Sequence, residues 1–267
     1  MDWTYALLYR RRSDWIPVRT GESGDRVYRR EDGFVYAEIA PAERSADLAG
    51  ERDRLAWLNG QGFASPEVVD WREAESGSCL EMTTVPGISA SELSGADLLK
   101  AWPSITRQIG TLHELAADRC PFDRGLSVMF GRAADVVARN AVNPAFLPKD
   151  DRNVPVAKLL AKVAAELPIR LEQEATGRVV CHGDACMPNI MIDPETFQCT
   201  GVIDLGRLGT ADRYVDLTLM VANACESWGS REEDAQAFAI LFDTLGIQAP
   251  DRERLAFYLK LDPLTWG

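Results

Sequence analysis

Short runs of alternating apolar and polar residues dominate the first third of the chain. Residues 26–30 and 34–40 alternate around the polar turn 31–33, which predicts a β-hairpin. Residues 66–87 predict two further strands around a Glu-Ser-Gly-Ser turn. Between these pairs, residues 45–62 carry leucines near helical spacing and end in two glycines, which predicts a single helix.

Helical periodicity replaces this alternation from about Ser91 onward. The clearest predicted helices cover residues 96–115, 133–142, 156–174, 233–246 and 251–261. A further apolar helix is expected to begin at Asp216, and two β-like runs, 178–183 and 198–206, interrupt the helices. We therefore expect an α+β protein with two lobes: a small antiparallel-sheet lobe with one helix over 1–84, and a larger, mostly helical lobe over 85–267.

Composition excludes several classes of protein. The chain has 267 residues, of which 46% are hydrophobic and 26% charged, and its net charge is −12. The negative charge argues against nucleic acid or an anionic membrane as partner. No apolar run approaches the length of a membrane-spanning helix, and the first residues do not form a secretory signal. The six cysteines form no Cys-x-x-Cys pair, so we expect reduced, mostly buried thiols in a cytoplasmic protein rather than a zinc site.

A cluster of oxygen-bearing side chains lies around the two β-like runs. The stretch VVCHGDACMPNIMID contains His182 and Asp184, and Asn189 follows five residues after that aspartate. Asp204 stands in the next run, GVIDLG, fifteen residues beyond Asn189. Oxygen ligands of this kind suit Mg²⁺. Asp184 is then a carboxylate available to accept a hydroxyl proton.

HGDACMPN and IDLG resemble the catalytic segment of protein-kinase-like phosphotransferases, where an H-x-D-x-x-x-x-N loop precedes an Asp-x-Gly. The forms HGD and IDLG are similar to those of the aminoglycoside O-phosphotransferase family. Further matching stretches span nearly the whole chain and are most similar to the streptomycin 3″-phosphotransferase branch: 21–25, 49–58, 93–104, 202–217 and 249–267. The resemblance implies a bilobal protein-kinase-like fold, ATP or GTP with Mg²⁺, and an aminoglycoside substrate, streptomycin.

The resemblance also implies roles for individual residues of the larger lobe. Asp184 would be the catalytic base, and Asn189 and Asp204 the metal ligands. His182 and Asp216 would support the catalytic loop by hydrogen bonding, although Asp216 could instead cap its helix. His113, the other histidine of the chain, is expected to be an ordinary helix residue without chemistry.

Residues of the small lobe would bind the nucleotide. Gly21, Ser23 and Gly24 form a loop that could approach phosphates, since glycines permit a tight backbone. The backbone near Thr83 and Val85 would hydrogen-bond adenine, although this stretch could be an ordinary strand exit.

The chain departs from the family pattern at one position of this lobe. In the family, a helix glutamate, here Glu51, pairs with a strand lysine that grips phosphates, but Glu38 stands at the lysine position. Like charges about 4 Å apart repel by ~1–4 kcal/mol. Three explanations are open: Arg29 on the neighbouring strand replaces the lysine, nucleotide binding is weakened, or the strand register differs by one residue.

Carboxylates suit a substrate that carries guanidinium groups. The candidates are Glu226, Asp262 and the terminal carboxylate of Gly267, with Trp266 as a neighbouring contact or a packing residue. Arg207 could neutralise charge beside the metal aspartate or lie on the surface.

Three other functions remain open at this point. The same scaffold could phosphorylate another small alcohol, since a fold does not determine its substrate. Glu38 would suit a kinase-like binding protein with impaired catalysis. A metal-dependent hydrolase that uses His182 and Asp184 as ligands would need further histidines, and the chain has only two.

Overall fold

The computed structural model describes residues 15–18 and 26–267 of the chain. They divide into two units. The first contains the described residues up to Ile88 together with Met191–Pro194 and Thr200–Gly206, and the second contains Ser89–Ile190, Glu195–Cys199 and Arg207–Gly267. The lobe boundary after residue 84 stays a prediction. The predicted phosphate loop with Gly21, Ser23 and Gly24 lies outside the described residues.

An antiparallel five-stranded sheet forms the first unit. Its strands are β1 Trp15–Val18, β2 Arg26–Arg30, β3 Val35–Pro41, β4 Val68–Ala74 and β5 Gly77–Thr83, in the order β1-β2-β3-β5-β4. The predicted hairpin and the two later strands are confirmed. Strand β1 was not predicted, because it has four residues and contains a proline, which occurs on edge strands such as this one.

The two faces of this sheet have different neighbours. Tyr28, Ala37, Ile39 and Cys79 form a buried cluster on one face, against which Trp15 packs. The predicted helix, α1 Ser45–Gly60, lies on the other face.

The contact that locates α1 on this face is between Arg52 and Trp71. The Arg52 guanidinium lies 4.6 Å from the centre of the Trp71 ring. Trp71 pairs with Leu80, and Leu80 pairs with Glu38. Because residues paired across neighbouring strands share a face, Glu38 projects on the same side of the sheet as α1.

Six helices lie in the described part of the second unit: α2 Gly95–His113, α3 Leu126–Ala138, α4 Val156–Ala175, α5 Tyr214–Ala224, α6 Arg231–Thr244 and α7 Arg252–Leu261. All were predicted in outline, but α3 was misplaced by several residues. It begins earlier than residue 133 because Leu126 and Met129 continue the buried stripe toward its start. It ends before residue 142 because Asn140 takes a left-handed backbone, φ 52°.

The other strands of the described residues are short: β6 Ile88–Ser89, β7 Arg178–Cys181, β8 Ile190–Ile192, β9 Cys199–Val202 and β10 Gly209–Asp212. Strands β7 and β10 pair antiparallel, and β6, β8 and β9 form a three-stranded sheet in the order β6-β8-β9. The predicted runs contain β7 and β9. The others are two to four residues long, too short for an alternation pattern.

The structure can be compared with two predictions made from composition, on the cysteines and on membrane-spanning helices. All six cysteines are free, but the expectation that most are buried is wrong: only Cys79 and Cys181 are buried, and Cys225, directly after the end of α5, is exposed. Across residues 15–18 and 26–267, no helix combines the length and hydropathy needed to cross a membrane.

Candidate active site

The HGD motif forms a buried loop directly after β7. Asp184 is 8% exposed, and its backbone N–H donates to His182 Nδ1 at 3.2 Å. Asn189 closes the loop, because its Nδ2 donates to the Asp184 carbonyl oxygen at 3.0 Å. An amide whose nitrogen is used in this way directs its oxygen elsewhere, so Asn189 Oδ1 remains as an oxygen ligand.

Asp216 on α5 accepts hydrogen bonds from the first two residues of this loop. Its Oδ2 accepts the backbone N–H of His182 and its Oδ1 that of Gly183, both at 2.8 Å. The third partner is His113, whose Nε2 lies 3.0 Å from Oδ2. Asp216 is the third residue of α5 and does not cap the helix, whose N-cap residue is Arg213.

The electrostatics of Asp216 follow from these partners. Complete burial raises the pKa of the carboxyl. Hydrogen bonding and charge from His113, the charge of His182 and the Gly183 N–H outweigh burial and leave the pKa below its usual value. The group is therefore an acceptor at neutral pH.

Gly183 occupies a position that no other residue can take without rearrangement. Its φ is +81°, in the left-handed region. A Cβ at this position would lie 2.2 Å from the Arg207 carbonyl oxygen. The middle residue of HGD is thus glycine for two independent reasons, backbone conformation and the close approach of another backbone segment.

Two ionisable side chains near Asp184 have shifted pKa values. Burial, and then the charge of Asp184, raise the pKa of the Cys186 thiol far above its usual range, so it stays protonated. Burial and the charge of Arg207 lower the pKa of Arg124 to about 10, although the carboxylates of Asp262 and Asp184 act to raise it. Arg124 is therefore still a cation at neutral pH.

The C-terminal segment is held by a network within the second unit. Arg207 Nη1 lies 3.3 Å from Asp262 Oδ1, and its guanidinium lies 3.4 Å from the centre of the Trp266 ring. Trp266 Nε1 donates to Asp262 Oδ2 at 3.1 Å. Both oxygens of Asp262 are thus engaged by the protein. Glu226 and Gly267, in contrast, are exposed.

Asp204 belongs to the first unit, where it lies in the turn after β9. It is exposed and has a left-handed backbone, φ 60°. The next residue, Leu205, donates its N–H to Glu51 Oε1 at 3.2 Å, and Glu51 is 8% exposed. A Cβ at Gly206 would lie 3.6 Å from Glu51 Oε2. The structure therefore brings Glu51 of α1 against the Asp-x-Gly segment.

The strand pairing tests one of the three explanations for Glu38, a shift of the strand register by one residue. Glu38 pairs with Val27 and Leu80, and Arg29 pairs with Tyr36, the next residue of β3 on the face of Glu38. This is the face that α1 covers, so a shift of the strand register by one residue is excluded. That Glu38 stands at the family's lysine position stays a prediction. Arg29 is exposed on the same face, a diagonal neighbour of Glu38.

The strand exit proposed for adenine is partly occupied by the protein. The N–H of Thr83 donates to the Glu67 carbonyl oxygen at 2.9 Å, and its hydroxyl accepts the Glu67 N–H at 2.8 Å. Val85 is 6% exposed.

Sequence reasoning missed two residues of the second unit, His113 and Arg124. Arg124 is 7% exposed, and its Nε and Nη2 have no hydrogen-bond partner among the described residues. The only signal for His113 was its rarity, since the chain has two histidines. No signal in the sequence marked Arg124.

Comparison with known proteins agrees with this geometry. A model of the phosphotransferase enzyme family matches residues 14–258. A curated aminoglycoside 3'-phosphotransferase of Streptomyces fradiae is 36% identical over 93% of this chain and 94% of its own. The chain belongs to the aminoglycoside phosphotransferase family.

Higher similarity exists within the aminoglycoside phosphotransferases. The streptomycin 3''-kinase of Streptomyces griseus is 50% identical over 95% of this chain and 93% of its own. The structure of aminoglycoside phosphotransferase APH(3'')-Id from Streptomyces rimosus superposes with a TM-score of 0.94 at 48% identity, covering all of both chains. A structure of the same protein with ADP and streptomycin has a TM-score of 0.93 at 46% identity, covering 99% of this chain and 98% of that one.

These likenesses confirm the predicted family and the predicted kinase-like α+β fold. The chain is accordingly a phosphotransferase enzyme, as the motifs indicated.

Proposed function

We propose that the protein phosphorylates streptomycin at its 3″ hydroxyl, with ATP as the phosphoryl donor. The observation that carries the proposal is the 50% identity, over nearly the full length of both chains, to a streptomycin 3''-kinase. The hydrogen-bonded HGD loop supports it, because the loop supplies the carboxylate that such a transfer needs. A structural neighbour at 46% identity binds ADP and streptomycin.

Asp184 is the residue that we propose to accept the substrate proton. The hydroxyl oxygen forms a new bond to the γ-phosphorus, the bond from that phosphorus to the β–γ bridging oxygen breaks, and ADP leaves. The hydroxyl proton goes to the Asp184 carboxylate. Two backbone contacts fix this residue on both sides, the N–H with His182 and the carbonyl with Asn189, so its side chain is positioned before the substrate binds.

Asn189 and Asp204 are the residues that we propose to hold Mg²⁺. The donor set fits this ion, since Asn189 Oδ1 is left as an oxygen ligand and Asp204 is an exposed carboxylate. When bound, the ion would supply positive charge to the β- and γ-phosphates.

The first unit is expected to bind the nucleotide without the family lysine. We propose that Arg29 supplies the missing positive charge, because it is exposed and shares the face of Glu38. The predicted roles of Glu51, Thr83 and Val85 in nucleotide binding stay proposals. Val85 is the better candidate for an adenine contact than Thr83, whose N–H is already used.

Among the three predicted carboxylates, those of Glu226 and of the terminal Gly267 are the ones accessible to a substrate cation, because both residues are exposed. Asp262 already pairs with Arg207 and Trp266. We therefore expect Asp262 to act through the position of Trp266 and Gly267 more than through a direct contact. ATP is a cytoplasmic substrate, so we place the enzyme in the cytoplasm, where phosphorylation of the antibiotic confers resistance.

The test is an ATP-consumption assay with streptomycin and a panel of other aminoglycosides and small alcohols, with the position of the new phosphate determined by NMR. We expect turnover with streptomycin and a 3″ phosphate ester. Asp184→Asn should lower kcat by about 100- to 10,000-fold, the range typical of a lost general base.

Asp243→Asn is the matched control, because it makes the same chemical change at an exposed aspartate. It should leave turnover unchanged. If streptomycin is not phosphorylated while another alcohol is, the substrate assignment is wrong although the reaction class stands.

A further inference from the structure

Arg124 and Arg170 are the two buried arginines of the described residues, and the protein uses them differently. Arg170 donates through both of its Nη atoms, to Glu166 at 2.9 Å and to Gln173 at 3.0 Å. Arg124 has its Nε and Nη2 buried, and neither atom has a hydrogen-bond partner among the described residues. A buried donor without a partner destabilises a fold. Stability of the fold therefore explains Arg170 but does not explain Arg124.

The backbone of Arg124 is held firmly against β10. Its N–H donates to the Thr210 carbonyl oxygen at 3.1 Å, and the N–H of Thr210 donates to the Phe122 carbonyl oxygen at 2.8 Å. Gly209, the first residue of β10, leaves room for the start of the side chain, because a Cβ there would lie 3.0 Å from the Cβ of Arg124. The protein thus fixes where the side chain of Arg124 begins, although it does not bind the buried nitrogens at its tip.

The guanidinium of Arg124 lies among the charged groups of the candidate active site, all of them in the second unit. Its Nη2 is 4.0 Å from Asp262 Oδ1. Burial is the main cause of its lowered pKa, but Asp184 and Arg207 are close enough for their charges to act on it as well. An acceptor whose hydroxyl is held against Asp184 would therefore bring its neighbouring groups toward Arg124.

An ion pair with Asp262 is the competing interpretation of Arg124. Asp262 has a partner for each oxygen without it, Arg207 at Oδ1 and Trp266 at Oδ2. The separation of 4.0 Å between Arg124 Nη2 and Oδ1 is longer than a hydrogen bond. Asp262 therefore does not depend on Arg124, and the guanidinium can bind a group that is not part of the protein.

The chemistry of the guanidinium limits what this group can be. The side chain of Arg124 is 9% exposed, and its third nitrogen, Nη1, is not among the buried atoms, so a ligand can reach it. A guanidinium only donates hydrogen bonds, and Arg124 is a cation at neutral pH. It binds oxygen atoms and repels positive groups. On an acceptor that carries several positive charges, the groups it can bind are hydroxyl oxygens.

We infer that Arg124 is an acceptor-binding residue: its guanidinium donates to a hydroxyl oxygen of the aminoglycoside, close to the hydroxyl that Asp184 deprotonates. The inference rests on the proposed phosphorylation of streptomycin. Carboxylates would bind the positive groups of the acceptor and Arg124 one of its neutral oxygens, so together they would select one orientation of the sugar.

The same substitution at the two buried arginines separates binding from stability. Arg124→Met and Arg170→Met both keep a long apolar side chain and remove the charge and the donors. Arg170→Met is the matched control, because the partners of Arg170 lie on α4 and not in the candidate active site. Both variants should be assayed for kcat, for KM of both substrates, for the dissociation constant of streptomycin and for the thermal midpoint.

We expect Arg124→Met to raise KM and the dissociation constant of streptomycin by about 10- to 100-fold, the effect of a lost hydrogen bond from a charged group. Its kcat and its KM for ATP should change little. Its thermal midpoint should equal or exceed that of the wild type, because an apolar side chain in place of a buried charge is often neutral or stabilising. Arg170→Met should show the reverse, a lower thermal midpoint with unchanged streptomycin affinity.

Two results would overturn the inference. One is an unchanged streptomycin affinity in Arg124→Met, or a loss of thermal stability as large as that of Arg170→Met, which would make Arg124 a structural residue. The other is a fall in kcat with KM and the dissociation constant unchanged, which would assign Arg124 to the transferred phosphoryl group. Failure of the proposed function would look different, because the wild type itself would then neither bind nor phosphorylate streptomycin.

Derivatives of streptomycin test the chemical class of the bound group without turnover. Each derivative lacks one of the other hydroxyls of the phosphorylated sugar, and isothermal titration calorimetry with ADP present measures its affinity. We expect one derivative to bind the wild type as weakly as streptomycin binds Arg124→Met, and to lose no further affinity in that variant. If every derivative loses the same factor in both proteins, Arg124 does not bind a hydroxyl of this sugar and the inference is wrong.

Discussion

The catalytic loop of the second unit and the β3 strand of the first unit carry the two motifs that a kinase-like enzyme needs, and they differ in completeness. In the loop, Asp184, Asn189 and His182 are all present and joined by hydrogen bonds of 3.0 and 3.2 Å. In β3, the fold reproduces the expected register and the facing helix, but the position expected to hold lysine holds Glu38.

The difference shows how strongly the geometry of each motif depends on its side chains. Positions in the loop are held by hydrogen bonds between backbone groups and the side chains of His182, Asn189 and Asp216, so their geometry tolerates few side-chain changes. Glu38 is a partly exposed side chain on a regular strand. Its identity can change without disturbing the sheet, because the ladder hydrogen bonds of β3 come from the backbone. Nucleotide affinity can therefore vary while the catalytic loop stays intact.

Gly183→Ala is expected to have the largest effect, because it changes the HGD loop, the motif in which every expected residue is present. The added Cβ would overlap the Arg207 carbonyl oxygen, and alanine disfavours φ +81°. We expect kcat/KM to fall by at least about 100-fold, as for a displaced catalytic group. Steady-state kinetics and circular dichroism measure activity and folding separately.

Gly246→Ala is the control for this change. Gly246 also has a positive φ, +66°, but a Cβ there would meet no atom within 4 Å. It should retain activity. Equal losses in the two variants would show that an alanine at a positive φ is enough to lower activity, without the overlap with the Arg207 carbonyl oxygen.

Glu38→Lys restores the residue that the family pattern predicts in β3. It replaces a negative charge with a positive one on the face of α1, so ATP should bind about tenfold more tightly, a change of ~1.4 kcal/mol. Isothermal titration calorimetry measures the affinity. Glu43→Lys makes the same charge change at an exposed position in the turn after β3 and should have little effect, since salt screens exposed charges.

Arg29→Ala should have a smaller effect, weakening ATP binding by about three- to tenfold, because a solvent-exposed charge interacts weakly with its partner. Arg30→Ala is the matched control, since Arg30 projects on the opposite face and pairs with Asp32. An unchanged affinity in Arg29→Ala would eliminate Arg29 as the replacement for the lysine.

The sequence predicted most of this architecture, because long helices and paired strands have clear periodicity. It also predicted the oxygen-rich loop, since a few nearby residues define it. The partnership of His113 with Asp216 joins residues 103 positions apart, and such a contact leaves no local pattern. The engagement of Asp262 by Arg207 and Trp266 was missed for a different reason. A carboxylate in a sequence does not show whether its oxygens are already used.

The effect of Glu38 on the transfer step itself is measured by kcat for streptomycin phosphorylation at saturating ATP, compared between the wild type and Glu38→Lys. If the departure at residue 38 affects nucleotide binding alone, the two kcat values should agree within about threefold while the ATP affinities differ by about tenfold. A kcat for Glu38→Lys more than about tenfold above the wild type would contradict the claim that residue 38 affects nucleotide binding alone. It would show that the natural chain is impaired in the transfer step itself.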